Sequence, residues 1–384
     1  MKIDDKKSLK SPSLRFPEFN GEWVLNEMWN IAPLQRGFDL PSGNVLDGTI
    51  PVVYSNGILR YHNDYKCKAP AVITGRSGTI GKFTYLDKGY YWPHNTTLWV
   101  TDFCHNNPKF IYYLYQTINI SQFATGSGVP TLNRNDVHRH RCYLPKSIDE
   151  QRKIAAFLSL IDERIAIQDR LIDRLQSLMI GLNNSLYEQY GNDITTSFME
   201  LGYSYSGLSG KSAKDFGSGK PFITYLNVYS NIIVDETDYQ YVRINDGEKQ
   251  NIVRTGDVLF TLSSETPEEV GIGSVYLGEK EVYLNSFCFG IHIERNQLAY
   301  SPYLSYYVTS TAFRKFIYPF AQGSTRFNLC KADFEKASIK LPSLDNQKRI
   351  SAMLDCIAEK IQAEKAILEY YNIQRQYLLR QMFI

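Results

Sequence analysis

The chain repeats itself. Gly126, Ser127, Leu132, Asp136, Leu144 and Pro145 recur 197 positions later as Gly323, Ser324, Leu329, Asp333, Leu341 and Pro342. After a one-residue deletion the offset is 196, and Asp149, Gln151, Arg152, Lys153, Ile154 and Leu158 return as Asp345, Gln347, Lys348, Arg349, Ile350 and Leu354. Single matches mean little in a Leu-rich chain. Twelve in order with one gap mark an internal duplication, and a repeat constrains the fold before any motif does.

Each copy passes from a Gly-Ser turn through Leu-Pro into a long helix. From Ile154 the apolar positions step by four and three: Ile154, Leu158, Ile161, Ile165, Gln168, Ile172, Leu175, Met179, Leu182, Leu186. This 3.5-residue period turns one narrow seam toward a partner helix. The second copy reads Ile350, Leu354, Ile357, Ile361, Glu364, Leu368, Tyr371, Arg375, Leu378, Met382. Glu364 and Arg375 weaken that seam, so fraying of the C-terminal helix is among the expectations. Gln168 and Glu364 are equivalent by the repeat; they either meet and fix the register of an antiparallel pair, or reach out to solvent. A parallel pair would force the second globular segment to run back the full length of the helix. The first seam, Ile154 to Leu186, is roughly 50 Å long at about 1.5 Å per residue, which makes the helix pair a spacer.

The remaining length suffices for two globular domains. The hydrophobic fraction of 43% and the aromatic fraction of 14% describe folded protein with no charge block. No apolar run approaches the roughly 18 residues that span a bilayer, and the polar start, Met1 to Ser13, lacks the pattern of a signal peptide. Cys67, Cys104, Cys142, Cys288, Cys330 and Cys356 show no CxxC spacing and read as reduced thiols of a cytoplasmic protein, with no zinc site. Net charge is only +2, so a nucleic-acid binder of this composition must gather its basic residues on one face. Residues 1 to 150 hold 17 Lys/Arg against 13 Asp/Glu, and residues 191 to 340 hold 14 against 17, so the halves differ in sign.

Pro51 to Tyr54, Ala71 to Thr74, Phe83 to Leu86 and Thr97 to Thr101 read as strands in the first segment; Pro221 to Tyr225, Asp257 to Leu262 and Val275 to Leu277 do so in the second. Pro108 to Asn119 and Pro302 to Ile317 read as helices that open near a proline. The pattern predicts an α+β domain, repeated.

Motifs of catalysis are missing. Thr74-Gly-Arg-Ser-Gly-Thr-Ile-Gly81 could cradle phosphate but fits neither a dinucleotide fingerprint nor a Walker loop, and reads as a hairpin connection; Val270-Gly-Ile-Gly-Ser274 is its counterpart. Ser206-Gly-Leu-Ser-Gly-Lys-Ser212 imitates a P-loop, but Tyr205 stands where the first glycine belongs. His138 and His140 lack a third metal ligand and read, with Arg139 and Arg141, as a surface basic cluster. There is no GxSxG, HExxH or kinase signature, and no Asn/Asp-Pro-Pro-Tyr/Phe motif of an amino-methyltransferase. Basic, amide and hydroxyl side chains do gather in the loops: Arg76, Ser77, Lys82, Asn95, Thr96, Ser127, Arg134, Arg139 and Arg141 in the first half, Ser263, Asn285, Ser324, Arg326 and Lys331 in the second. These types contact phosphates and read base edges.

At this point the whole chain resembles the specificity subunit of type I restriction-modification enzymes. The resemblance rests on Leu14-Arg-Phe-Pro-Glu-Phe-Asn-Gly-Glu-Trp23, Ile50-Pro-Val-Val-Tyr54, the Gly126-Ser127 turn, and both helix starts, Asp149-Glu-Gln-Arg-Lys-Ile154 and Asp345-Asn-Gln-Lys-Arg-Ile350. It implies two mixed α/β target-recognition domains in tandem, related by a pseudo-two-fold repeat and separated by a long antiparallel two-helix coiled coil. The boundaries are then 1–147 and 191–342 for the recognition domains, and 148–190 and 343–384 for the spacer helices. Each domain would dock on one half of an asymmetric bipartite site in double-stranded DNA. The spacer, about 14 base pairs long at 3.4 Å each, would act as a ruler. The chain itself would be non-catalytic and bind no cofactor. Two modification subunits using S-adenosylmethionine for adenine N6 methylation, and restriction subunits using ATP and Mg, would supply the chemistry. Ile154, Leu158, Ile161, Ile165, Gln168, Ile172, Ile350, Leu354, Ile357, Ile361, Glu364 and Leu368 would form the spacer and its subunit contacts. The alternative from another class is a nonenzymatic scaffold that holds two copies of a protein partner apart.

Overall fold

The computed structural model describes residues 11–126 and 128–384; Ser127 and the start of the chain, Met1 to Lys10, lie outside the described residues. Two compact units emerge. One takes in the chain up to Asp169 together with Ala366–Ile384, the other Arg170–Lys365. A central helix, Ile148–Tyr190, and a C-terminal helix, Leu344–Met382, each contribute to both.

In the first unit the fully buried run Ala71–Gly75 is an inner strand, as a continuous apolar run requires. It lies between Thr97–Val100 and Phe83–Leu86, with Leu34–Arg36 on the far side of Thr97–Val100, all antiparallel. A second sheet runs Gly57–His62, Ile50–Tyr54, Tyr90–Pro93, Cys67–Lys68, with one parallel pair, Ile50–Tyr54 beside Tyr90–Pro93. The helix Pro108–Thr117 starts at proline and is capped by the Asn107 side chain, which accepts from Phe110 N–H at 2.9 Å. Its Phe110, Tyr113 and Leu114 face the core.

The second unit repeats this topology where the sequences no longer match. Its four-stranded sheet runs Gly202–Ser206, Cys288–Ile293, Val258–Thr261, Gly273–Val275 in the same order. Its other sheet, Tyr239–Val242, Phe216–Ile223, Tyr283–Leu284, has the same parallel pair. The expected helix over Pro302 to Ile317 is two helices, Ser301–Tyr307 and Thr311–Ile317. Ser310 causes the break: its side chain accepts from Phe313 N–H at 3.2 Å and caps the second helix. Likewise Tyr225 opens a helix rather than closing a strand, because Thr224 caps Asn227 N–H.

Both junctions into the long helices share one construction. Val24–Glu27 pairs with Arg141–Leu144, and Ile194–Thr196 with Ile339–Leu341. A proline then ends the pairing, since it has no N–H to give. A buried glutamine follows. Gln151 Oε1 accepts from Asn107 N–H at 2.8 Å while its amide donates to Pro145 O at 3.0 Å and Asn106 Oδ1 at 2.8 Å. Gln347 does the same with Tyr300 N–H at 2.8 Å, Pro342 O at 2.9 Å and Leu298 O at 2.8 Å. The duplicated Gln is therefore a polar clamp inside each unit.

Within each unit the two long helices run antiparallel. Ile154, Leu158 and Ile161 share the first core with Leu378, Leu379, Met382 and Phe383; Ile350 and Leu354 share the second with Met179, Leu182 and Leu186. Every position of both seams is buried or half-buried. The C-terminal helix does not fray. Arg375 is held at 2.5 Å by Asp162 and at 2.6 Å by Gln116 Oε1, so a charge at a seam position has its partners waiting. Gln168 and Glu364 are 8% and 5% exposed, which excludes the solvent-reaching alternative.

Candidate nucleic-acid interface

In the first unit three loops are tied into one rim. The Ala71–Gly75 strand turns at Gly75, where a Cβ would stand 1.8 Å from Thr79 O, so only glycine fits. The next residues form a hairpin connection to Phe83–Leu86, in register Thr74 opposite Phe83. Arg76 N–H and Ser77 N–H donate to Thr96 O at 2.7 and 3.3 Å, and Arg76 O accepts from Leu132 N–H at 2.7 Å. Ser77 bridges to Thr131. The loops after Gly75, before Thr97 and after Gly126 thus converge. His94 N–H donates to Val53 O at 2.9 Å, and the Tyr54 ring lies 4.3 Å from the His94 ring, which joins the second sheet to the rim.

The expected contact residues sit here with different degrees of freedom. Arg76 is half-buried and Arg134 exposed at the start of the helix Arg134–Arg139; neither is in an ion pair among the described residues. Lys82 Nζ donates to Asn56 O at 2.9 Å. Asn95 is bonded to Asp39, and Thr96 Oγ1 lies 3.0 Å from His94 Nδ1. Arg139 pairs with Asp136, and Arg141 with Glu27 at 3.3 Å. Ser127 is outside the described residues. His138 corrects the expectation of a surface basic cluster: it is 6% exposed, and its Nε2 accepts from Leu34 N–H at 2.9 Å. Burial, and behind it the charge of Arg134, lower its pKa, in keeping with a neutral acceptor ring.

The second unit forms the same rim by the same bonds. Leu262 N–H donates to Phe287 O at 2.9 Å, Leu329 N–H to Leu262 O at 2.9 Å, and Asn285 N–H to Ile223 O at 3.0 Å. These bonds put Leu262 where the first unit has Arg76, Asn285 where it has His94, and Phe287 where it has Thr96. Arg326 takes the place of Val129 in the turn after the repeated glycine, and Lys331 that of Arg134. The chemistry changes accordingly. Ser263 is 5% exposed, while Ser324 and Arg326 are exposed. Lys331 leans back, 5.0 Å over the Phe289 ring and 3.6 Å from Glu335. Glu269 accepts from Tyr229 OH at 2.8 Å and Ser264 Oγ at 3.1 Å, and these bonds, the Tyr229 one most, hold its carboxyl below the usual range. Phe287, exposed on this rim, was not singled out in the sequence; the signal was an aromatic residue inside an Asn-Ser-Phe turn.

Other motifs resolve as structure. Lys211 of the P-loop imitation bonds Arg243 O at 2.6 Å and Glu248, so it is spent within the fold. His292 Nδ1 meets Asp257 at 2.7 Å, but Tyr205 stacks on the ring at 4.2 Å and also bonds that carboxylate; the pair is enclosed. No group of three or more His, Cys, Asp or Glu suited to a metal occurs among the described residues.

A family model described as type I restriction modification DNA specificity domain matches residues 23–177 and 208–370. The specificity subunit of the type I restriction enzyme StySPI from Salmonella potsdam is 27% identical over 150 residues, 39% of this chain and 32% of that protein. The EcoKI specificity subunit of Escherichia coli is 26% identical over 149 residues, 39% and 32%. The chain thus spans about a third of the length of these curated relatives. The crystal structure of a type I restriction-modification S subunit from M. genitalium is similar over 97% of this chain and 99% of that one, with a TM-score of 0.58 and 16% identity, which is a likeness of fold.

Proposed function

Because the chain belongs to the type I restriction-modification DNA specificity family, we propose that its two rims each read one half of a bipartite site in double-stranded DNA. The observation that carries this reading is the rim itself. The same backbone bonds present unlike side chains, Arg76, Thr96, Val129 and Arg134 in one unit and Leu262, Phe287, Arg326 and Lys331 in the other. A conserved frame with exchanged contact residues is what two different target sequences demand, because phosphate contacts position a protein and base-edge contacts specify. The half-sites are then unlike, and the target asymmetric.

In this reading residues 1–147 and 191–342 are the recognition domains, and the helices 148–190 and 343–384 set the gap between half-sites. Exposed apolar residues on those helices, among them Leu160, Ile167, Leu178, Ile180, Tyr370 and Tyr377, support docking of modification subunits, since patches of this kind mark protein contacts. Those subunits would bring S-adenosylmethionine for adenine N6 methylation, and restriction subunits ATP and Mg for cleavage, in the cytoplasm. Among the described residues no helix is long and apolar enough to cross a membrane.

The test is genome-wide adenine methylation by single-molecule sequencing, in cells expressing the cognate modification subunit with and without this chain. An asymmetric bipartite motif that depends on the chain is the expected result. No motif from an assembled complex contradicts the reading and returns the scaffold alternative.

A further inference from the structure

Phe287 stands out on the second rim. The residue is 55% exposed, yet its backbone is fixed on both sides: its N–H donates to Asn285 Oδ1 at 2.9 Å, and its carbonyl accepts from Leu262 N–H at 2.9 Å. The turn therefore fixes the point from which an exposed aromatic side chain projects. The guanidinium carbon of Arg326 lies 5.8 Å from the ring centroid. Arg326 stands in the turn between Ala321–Gln322 and Phe327–Leu329, and it has no hydrogen-bond acceptor or ion-pair partner among the described residues. The nearby Glu269 is occupied by Tyr229 and Ser264.

An arginine supported by an aromatic ring, with its donors unspent, is preorganised for a planar acceptor pair, because stacking restrains the guanidinium while leaving its N–H edge free. In the major groove that acceptor pair is guanine O6 and N7. The exposed ring offers what an arginine cannot, an apolar contact, and the matching feature of a base edge is the thymine 5-methyl group. A separation of 5.8 Å lies between one and two base-pair steps of about 3.4 Å.

Resting on the DNA-recognition reading above, we propose that Phe287 and Arg326 act as one base-reading unit, which fixes in the second domain's half-site a guanine with a thymine one or two base pairs away. The first unit, with Thr96 and Val129 at these places, has no such unit, so the requirement belongs to one half-site alone.

The experiment maps the methylation motif of the full chain with its modification subunit for the wild type and for Arg326→Lys, Arg326→Ala and Phe287→Ala. Arg76→Ala, on the other rim, identifies which half-site belongs to the first unit. Both Arg326 variants are expected to lose preference for one guanine by roughly ten- to a hundredfold, and Phe287→Ala to lose preference for the neighbouring thymine, with the other half-site intact. Arg326→Lys keeps the charge, so a loss there is not a loss of phosphate attraction. On synthetic duplexes, deoxyuridine for that thymine and 7-deazaguanine for that guanine are expected to weaken binding of the wild-type complex but not of the matching variant. An unchanged Arg326→Lys motif, a loss spread evenly over all sites, or indifference to deoxyuridine with a wedge-like effect of Phe287→Ala overturns the proposal. A wild-type chain that yields no motif refutes the DNA-recognition reading instead.

Discussion

Gln347→Leu tests the clamp that the duplication preserved. Gln347 is fully buried, and leucine nearly matches its shape, so the change removes hydrogen bonds without opening a large cavity. The Tyr300 N–H loses its acceptor, and the carbonyls of Leu298 and Pro342 each lose a donor. A buried polar group left unpaired costs about 1–3 kcal/mol. With Tyr300 only half-buried, the lower end applies to each of the three, and the sum is about 3 kcal/mol, a large share of the roughly 5–15 kcal/mol that holds a domain. Urea unfolding followed by circular dichroism reads the loss, and amide hydrogen exchange locates it. Exchange at Tyr300 is expected to rise first, with Asn107, held by Gln151 in the other unit, less affected. Gln347→Glu is the companion: its carboxylate keeps the acceptor but faces two carbonyl oxygens, so it destabilises at neutral pH and recovers in part when protonated. A loss below about 1 kcal/mol with Tyr300 still protected would refute the reasoning.

Three further expectations follow from the geometry. Arg375→Leu puts an apolar residue in the seam but takes the guanidinium from Gln116 and from Asp162, which keeps the Tyr113 hydroxyl; the site is partly exposed, so a loss of about 1 kcal/mol is expected, and a rise in melting temperature would contradict it. Glu248, bonded first of all by Lys211, has its pKa lowered from 4.5 to about 2. Its contribution to stability is present above pH 4.5 and lost as pH falls through about 2. The difference between wild type and Glu248→Gln, measured by urea unfolding, should therefore shrink over that interval, and a constant difference would count against a contribution from the Lys211–Glu248 pair. Arg134→Ala, if Arg134 contacts phosphate, lowers the slope of log affinity against log salt by about one; an unchanged slope with relaxed preference at one base makes it a base reader.

The sequence carried the plan of the fold more clearly than its details. The repeat and the heptad seams were visible because burial along two long helices imposes a strict period on Ile154 through Leu186 and on Ile350 through Met382. What stayed hidden depended on partners far along the chain. Arg375 looks like a flaw in a seam until Asp162 and Gln116 stand beside it. His138 sits among Arg134, Arg139 and Arg141 and looks exposed, but a backbone N–H from Leu34 draws it inside. Ser310 splits one expected helix into two through a local side-chain bond that competes with the helix. On the rims, residue type pointed to Arg76, Arg134 and Arg326, yet only the backbone bonds show that Asn285 stands in for His94, and that an aromatic ring occupies the place of Thr96.

The central claim is that each unit reads its own half-site, and exchanging one unit tests it most directly. Leu378, Leu379, Met382 and Phe383 share the first core with Ile154, Leu158 and Ile161, so the exchange must carry the whole first unit, residues 1–169 together with Ala366–Ile384, from a relative of different target. The methylation motif of this chimera, in complex with its modification subunit, should show one new half-site beside one unchanged half-site. A motif in which both halves change, or neither does, would contradict the account.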